Sequence, residues 1–368
     1  MKFLTRFGAF APVLLLSGLA AAQITATMVP KAGFGVNGWL APGASTSPSW
    51  LGTDNTVRGL AFNPTTGNLL VVARNALTGN GVRVLDGQTG TQIGQLDNGD
   101  GIVTGGTFVV NMIGVSDDGQ IYVGNLTTNT STSPFKLYHW ANEGTTPTVA
   151  FSGNPASSAG RLGDALAVRG SGNDVQVAAG YSNNPVGFNG YALFTGGSTL
   201  SGTTLGFVGP ANGSFRLGIT FGAGNTVWGK QTNQPFVGTS FDSGGSVIAN
   251  LNGTSNGEAP ITFARINGVD VLASIDVNSS VVRLYDITSL NNVSLLASLT
   301  TTSGTLSSNP NGTGALAFGN INGANATLYA MSTNQGIQAF DVTVVPEPAT
   351  MTALALGALA LMRRRRKS

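Results

Sequence analysis

Leu60, Ile113, Leu166 and Ile219 stand 53 residues apart, and each opens a similar succession of short apolar runs and glycine-rich turns. A period of that length restricts the chain to a repeat architecture, in which each unit buries its faces against its neighbours. The clearest unit reads Gly59-Leu60-Ala61-Phe62, a turn over 63–68, apolar runs at 69–73 and 82–86, a turn over 87–90 and a last run at 91–96. Runs of this length separated by Asn-Gly, Asp-Gly and Gly-Asn turns predict four strands joined by hairpins.

The order returns at 113–115, Asp117-Asp118-Gly119, 121–123, 135–140 and 148–151, and again from Leu166 through 175–178, 191–194 and 205–208. A fourth unit starts at Ile219, a fifth near Ile261 with runs at 269–273, 281–286 and 295–299, and a sixth near Leu316 with runs at 327–330 and 337–341. The sixth lacks a fourth strand, and residues 24–29 form a β-type run without a unit of its own. Lending that run to the last unit closes a ring and removes the open sheet edges. The predicted fold class is all-β, a propeller of six four-stranded blades over 23–344, with the N-terminal strand completing the last blade. Five or seven blades stay open, because Ile219 and Ile261 are 42 residues apart and residues 33–56 have no unit.

The residues that carry this pattern, most clearly 59–86 and 281–286, resemble secreted bacterial propellers of the NHL, YncE-like and streptogramin-lyase-like kind. Residues 108–125 and 135–143 are also similar to an uncharacterised propeller family associated with a C-terminal sorting signal.

Both ends of the chain read as addresses. Lys2 and Arg6 precede an apolar stretch over 9–19, and Ala20-Ala21-Ala22 offers signal peptidase its small residues at Ala20 and Ala22, so 1–22 reads as a secretory signal peptide. Pro346-Glu347-Pro348 is followed by an uncharged run over 349–362 and then by Arg363, Arg364, Arg365, Arg366 and Lys367. Fourteen helical residues span roughly 21 Å, short of the roughly 30 Å hydrocarbon core, which makes the predicted apolar helix a marginal membrane span. The arginine cluster would hold its end in the cytoplasm and leave the body outside. Triplet, short helix and arginines, in that order over 345–368, resemble the PEP-CTERM sorting signal. That resemblance implies export, transient or permanent membrane anchoring, cleavage by an exosortase-like enzyme and a cell-surface or extracellular destination.

With these ends removed the electrostatic picture inverts. The whole chain has 18 basic against 16 acidic residues; without Lys2, Arg6, the four terminal arginines, Lys367 and Glu347, 11 face 15, a body charge of about −4. A nucleic-acid partner is therefore not expected. The absence of cysteine excludes disulfides, thiolate metal sites and a cysteine nucleophile, so stability must come from packing.

Catalytic chemistry finds few footholds. His139, the single histidine, alternates with Leu137 on one strand face and reads as a strand histidine. Propeller lactonases hold a metal through glutamate, asparagine and aspartate side chains, but Glu143 reads as a blade-edge turn residue and Glu258 as a loop residue. No catalytic residue is assigned, and no cofactor is expected. Asp97-Asn98-Gly99-Asp100-Gly101 has the oxygen density of a calcium loop without its closing glutamate, which leaves Asp97 and Asp100 as weak calcium ligands beside an ordinary turn. Asp86, Asp286 and Asp341 recur at the ends of third strands and should bond into the following turns. Trp39, Trp50, Trp140 and Trp228 offer either sugar-stacking surfaces or core, and sequons such as those at Asn125, Asn252 and Asn311 mark expected exposed turns.

The sequence thus predicts a non-enzymatic exported propeller acting as a structural or binding module, with exopolysaccharide as the suited partner. Two alternatives remain: a secreted propeller hydrolase or lyase acting on small sugars or lactones, and a tail-anchored protein that stays in the membrane.

Overall fold

In the computed structural model residues 24–346 are described, apart from 75–80, 156–159, 183–188 and 253. The signal-peptide residues Ala20 and Ala22 lie outside them, as do Glu347, Pro348, the apolar run and the arginine cluster of the C-terminal motif.

Five sheets are built from four consecutive antiparallel strands each. The first blade comprises Val57–Phe62, Asn68–Ala73, Gly81–Asp86 and Gln92–Gln95; the second Phe108–Val115, Ile121–Leu126, Phe135–Trp140 and Thr148–Gly153. The third comprises Leu166–Arg169, Val175–Gly180, Asn189–Gly196 and Leu200–Phe207; the fourth Gly218–Phe221, Thr226–Lys230, Phe236–Ser240 and Ser246–Leu251. The fifth has Glu258–Ile266, Val269–Asp276, Val282–Asp286 and Ser294–Leu299. The sixth has Gly314–Asn322, Asn325–Ser332 and Ile337–Pro346, and Ile24–Pro30 completes it beside Ile337–Pro346. The ring therefore has six blades and closes with the N-terminal strand, as the repeat predicts. Among the described residues the one helical element is the 3-10 turn Asp242–Gly244, and no helix is long and apolar enough to cross a membrane.

The first strand of every blade is innermost and lies beside its counterparts in both neighbouring blades, with Gly314–Asn322 returning to Val57–Phe62. The periodic residues Leu60, Ile113, Leu166, Ile219, Ile261 and Leu316 all line the central channel. Close packing at the axis explains the glycines beside them. A Cβ at Gly59 would come within 2.9 Å of the Ile113 amide nitrogen, and one at Gly218 within 1.9 Å of the Ala259 carbonyl oxygen. Outward from the axis, Asn68–Ala73 and its equivalents are buried on both faces between adjacent blades, which is why they read as continuous apolar runs.

The 42-residue interval has a simple cause. The fourth blade is made of short strands, and only residues 252–257 connect it to the next innermost strand, against 96–107 and 154–165 after the first and second blades. Residues 33–56, without a unit in the repeat, form a clasp: Trp39–Leu40 pairs with Gln338 and Ile337, and Phe34, Leu40, Trp50 and Leu51 pack with Leu60, Phe62 and Tyr329 between the sixth and first blades.

Candidate functional site

Two mouths of the channel follow from chain direction: an upper mouth where the innermost strands begin and a lower mouth where they end. Between them lies a cavity of about 530 Å³ with a wall dominated by the periodic aliphatic residues and by Phe62, Phe221, Phe263 and Phe318.

At the lower mouth the charged side chains lining the cavity are Asp117 and Arg169, and both are engaged in joining blades. Asp117 Oδ2 accepts the Gly170 amide at 3.1 Å, and the neighbouring Asp118 Oδ2 accepts the Gly172 amide at 2.8 Å. Arg169 donates to Gln176 Oε1 at 2.8 Å and to the carbonyls of Gly222 and Gly224, with its guanidinium over the Phe221 ring. These are structural stitches between equivalent turns.

The upper mouth differs. Two or three residues before each periodic aliphatic position, every blade supplies a polar side chain: Arg58, Asn111, Asp164, Arg216, Glu258 and Thr313. Arg58 bonds to Thr313 Oγ1, and Asn111 donates to the Gly163 carbonyl. Asp164 is gripped by Arg161 through two bonds, 2.6 and 2.7 Å, and by Arg216 at 3.3 Å. Glu258 turns into its own blade and accepts from Arg283 and the Tyr285 hydroxyl, both at 2.8 Å on Oε1. A smaller cavity of about 230 Å³ opens here among Arg58, Arg74, Asn111, Arg161, Asp164 and Thr313.

The basic groups of this cavity are unusual. Arg58 is 7% and Arg74 9% exposed, yet Arg58 Nε and Arg74 Nε and Nη1 have no hydrogen-bond partner. Burial lowers the Arg58 guanidinium to about 10 and, with help from the Arg58 charge, the Arg74 guanidinium to about 9; Asp164 acts against both shifts. Both remain cationic at neutral pH.

The other sequence-selected residues fall elsewhere. His139 is buried at 5% exposure, with Nε2 2.9 Å from Gln120 Oε1 and its ring against Tyr122, and burial depresses its basicity while Asp118 opposes the shift. Glu143 sits in a turn and bridges to the first blade, accepting from Asn63 and Asn68 amides at 2.7 and 2.8 Å and from the Thr66 hydroxyl at 2.6 Å. Asp97 accepts the Gly99 amide within its own turn at 2.8 Å, its carbonyl accepts from Trp140 Nε1, and Asp100 is exposed. Among the described residues no group of three or more histidine or acidic side chains gathers as a metal site. Trp50, Trp140 and Trp228 are core residues, and the half-buried Trp39 gives its N–H to the Gln335 carbonyl at 2.8 Å.

Three expectations need correction. Glu258 begins the innermost strand of the fifth blade rather than lying in a loop, although it faces away from the channel, and it is fully buried. Asp86 and Asp286 do bond into their turns, through Gln88, Thr89 and Thr288, but Asp341 lies mid-strand and pairs with Lys31 at 3.3 Å. Asn125 is buried, not an exposed turn residue: its side chain bonds to the Pro134 carbonyl and the Lys136 amide.

Comparison with known proteins agrees with this architecture. Residues 52–202, from before the first blade into the last strand of the third, match the domain of unknown function DUF4623, and residues 344–367 match the PEP-CTERM protein-sorting motif. A crystal structure of a DUF4623 family protein from Bacteroides eggerthii is similar over 88% of this chain and 76% of that one, at 15% identity and a TM-score of 0.63. The α-L-arabinofuranosidase arb93a from Fusarium graminearum (10% identity, 80% and 95% coverage, TM-score 0.51) and the major Malassezia sympodialis allergen Mala s 1 (10%, 80% and 95%, 0.50) share the fold. At such identities the likeness is one of fold alone. No curated protein matches the chain. The motif implies export, processing by an exosortase-like enzyme and a cell-envelope or surface location. The chain is a six-bladed β-propeller that matches the DUF4623 model over residues 52–202 and the PEP-CTERM protein-sorting motif over residues 344–367.

Proposed function

We propose that this protein is a non-catalytic binding propeller, displayed at the cell surface or released into the extracellular matrix after cleavage within its sorting motif, and that its upper face contacts exopolysaccharide. The observation that carries this reading is the asymmetry of the ring. The channel wall is apolar and the lower-mouth charges stitch turns together, whereas all six blades place polar side chains near the start of their innermost strands, at the upper mouth. A low-charge propeller with amide, hydroxyl and guanidinium groups gathered on one face suits a hydrated, hydroxyl-rich polymer.

Cleavage fits the closure of the fold. Ile337–Pro346 is already flanked by Ile24–Pro30, and the Thr25 hydroxyl bonds the Val345 carbonyl at 3.3 Å, so the sixth blade is complete where the sorting motif begins. Mass spectrometry of the exported protein tests the sorting step: an intact 363–368 tail would leave a tail-anchored protein in its place. A glycan array with the purified protein, run with and without calcium, tests the binding role. Silence across neutral and acidic glycans would remove that role, and turnover of an arrayed sugar or a lactone would replace it with hydrolase or lyase activity.

A further inference from the structure

We infer that the cavity at the upper mouth is a binding site for the oxyanion of an acidic sugar, with Arg58 and Arg74 as its recognition groups. The inference rests on the surface-binding reading above and narrows it to a ligand class.

A buried charge is costly unless it is paired and hydrogen-bonded. The cavity brings together Arg58, Arg74 and Arg161, with Arg216 close behind, around one carboxylate, Asp164. That carboxylate is already engaged on both oxygens by Arg161, and it is the acid whose field reaches Arg58 and Arg74. Arg58 and Arg74 are therefore left with three buried N–H-bearing nitrogens lacking acceptors. A planar guanidinium fork presents parallel donors to a carboxylate or sulfate group, and such charge-assisted bonds are the strong ones.

The cradle is built before any ligand arrives. The Arg74 guanidinium lies 3.7 Å from the centroid of the Phe108 ring and is held by the Asn55 carbonyl at 3.1 Å, while Arg58 is fixed by Thr313. Around this cationic pole stand Thr107, Thr128 and the exposed Asn311, groups that exchange hydrogen bonds with hydroxyls. Phe108, 42% exposed, adds an apolar surface beside them. A cationic pole with an amide, hydroxyl and aromatic surround fits a sugar bearing a carboxylate better than a bare inorganic ion.

Calorimetric titration of the purified protein with sodium glucuronate, with glucose as the neutral control and sodium sulfate as competitor, tests the assignment. The expected result is one glucuronate per chain, displaced by sulfate, no binding of glucose, and affinity weakened about tenfold or more in Arg74→Gln and in Arg58→Gln. Arg265→Gln, at an exposed arginine paired with Asp270 on a different blade, keeps the original affinity. Should a glutamine variant fail to fold, Arg74→Lys keeps the charge but loses the fork, and weakened binding is again expected.

Absence of glucuronate binding, unchanged affinity in the Arg58 and Arg74 variants, or binding of sulfate without glucuronate overturns the site. Neutral glycans captured on the array by a protein that ignores glucuronate would overturn this site alone and leave the surface-binding reading standing.

Discussion

Two of the places where this ring buries basic side chains treat them in opposite ways. Between the fourth and fifth blades Lys230 is fully buried, but its ammonium donates to three carbonyls, of Gln231 at 3.0 Å, Gln234 at 2.7 Å and Glu258 at 3.0 Å. Arg283 bridges Glu258 at 2.8 Å and lies 3.9 Å from Asp276, so two cations face two carboxylates. At the upper mouth four arginines face Asp164, and three nitrogens of Arg58 and Arg74 have no acceptor. The first cluster balances its charges, although Glu258 Oε2 has no hydrogen-bond partner; the second carries an excess of cations and leaves an interaction for something outside the chain to complete.

Substitution should separate the two. Glu258→Ala removes the carboxylate that Arg283 and Tyr285 bond, leaves Asp276 to face both Lys230 and Arg283, and is expected to cost about 3–5 kcal/mol in urea unfolding. A loss below about 1 kcal/mol would show that the two clusters are energetically alike.

Alkaline pH gives the next test. Burial lowers the Lys230 ammonium to about 8, against the partial opposition of Glu258 and Asp276. Between pH 8 and the ordinary lysine range the unfolded chain then binds more protons than the folded one, so stability rises with pH across that window. Buried Tyr122, Tyr138, Tyr181 and Tyr191, each pushed up to about 12 by desolvation, reverse the trend above about pH 10, where unfolded tyrosines ionise first. Thermal midpoints followed from pH 7 to 11 should therefore pass through a maximum. In Lys230→Met the rise between pH 8 and 10 should flatten; a rise of unchanged slope would refute the assignment.

Smaller effects are expected where charge is open or exposed. Arg74→Gln, without ligand, should change stability by less than about 1 kcal/mol or raise it, because a buried cation with two nitrogens lacking acceptors is removed. A loss as large as that of Glu258→Ala would make Arg74 a structural residue and erase the contrast. Smallest of all is Asp86→Asn, in a turn near the surface. Burial pushes the Asp86 carboxyl up, but bonds from the Thr89 hydroxyl and the amides of Thr89 and Gln88 outweigh it and leave it below the usual aspartate range. Its contribution, under about 1 kcal/mol, is present above that range and lost as pH falls through the lowered value. Acid unfolding curves of the variant and parent should merge there.

The residues that escaped the sequence reading did so for identifiable reasons. Arg58, Asn111 and Asp164 share the 53-residue spacing of Leu60, Ile113 and Leu166, but their side chains differ in chemistry at each recurrence. A periodicity carried by hydrophobicity passes over them. Glu258 read as a loop residue because it precedes Ile261, where the apolar repeat of the fifth unit starts; the strand begins earlier, with a register shift between Glu258 and Ile261 that accommodates Pro260, which lacks a ladder donor. Asp341 resembled Asp86 in position, yet Ile337–Pro346 continues past it because Ile24–Pro30 is there to pair with. The clasp over 33–56 had no counterpart elsewhere in the chain, so no period could reveal it.

By itself the sequence determined the blade, its recurrence, the lending of an N-terminal strand to the last sheet and the sorting motif. Each of these is written in local composition and in residues near one another along the chain. Tertiary structure decided the blade count and which polar groups meet at the axis. Side chains about 53 residues apart become neighbours only when the ring closes, and only then does it emerge that Glu258 finds its cations while Arg58 and Arg74 are left without an anion.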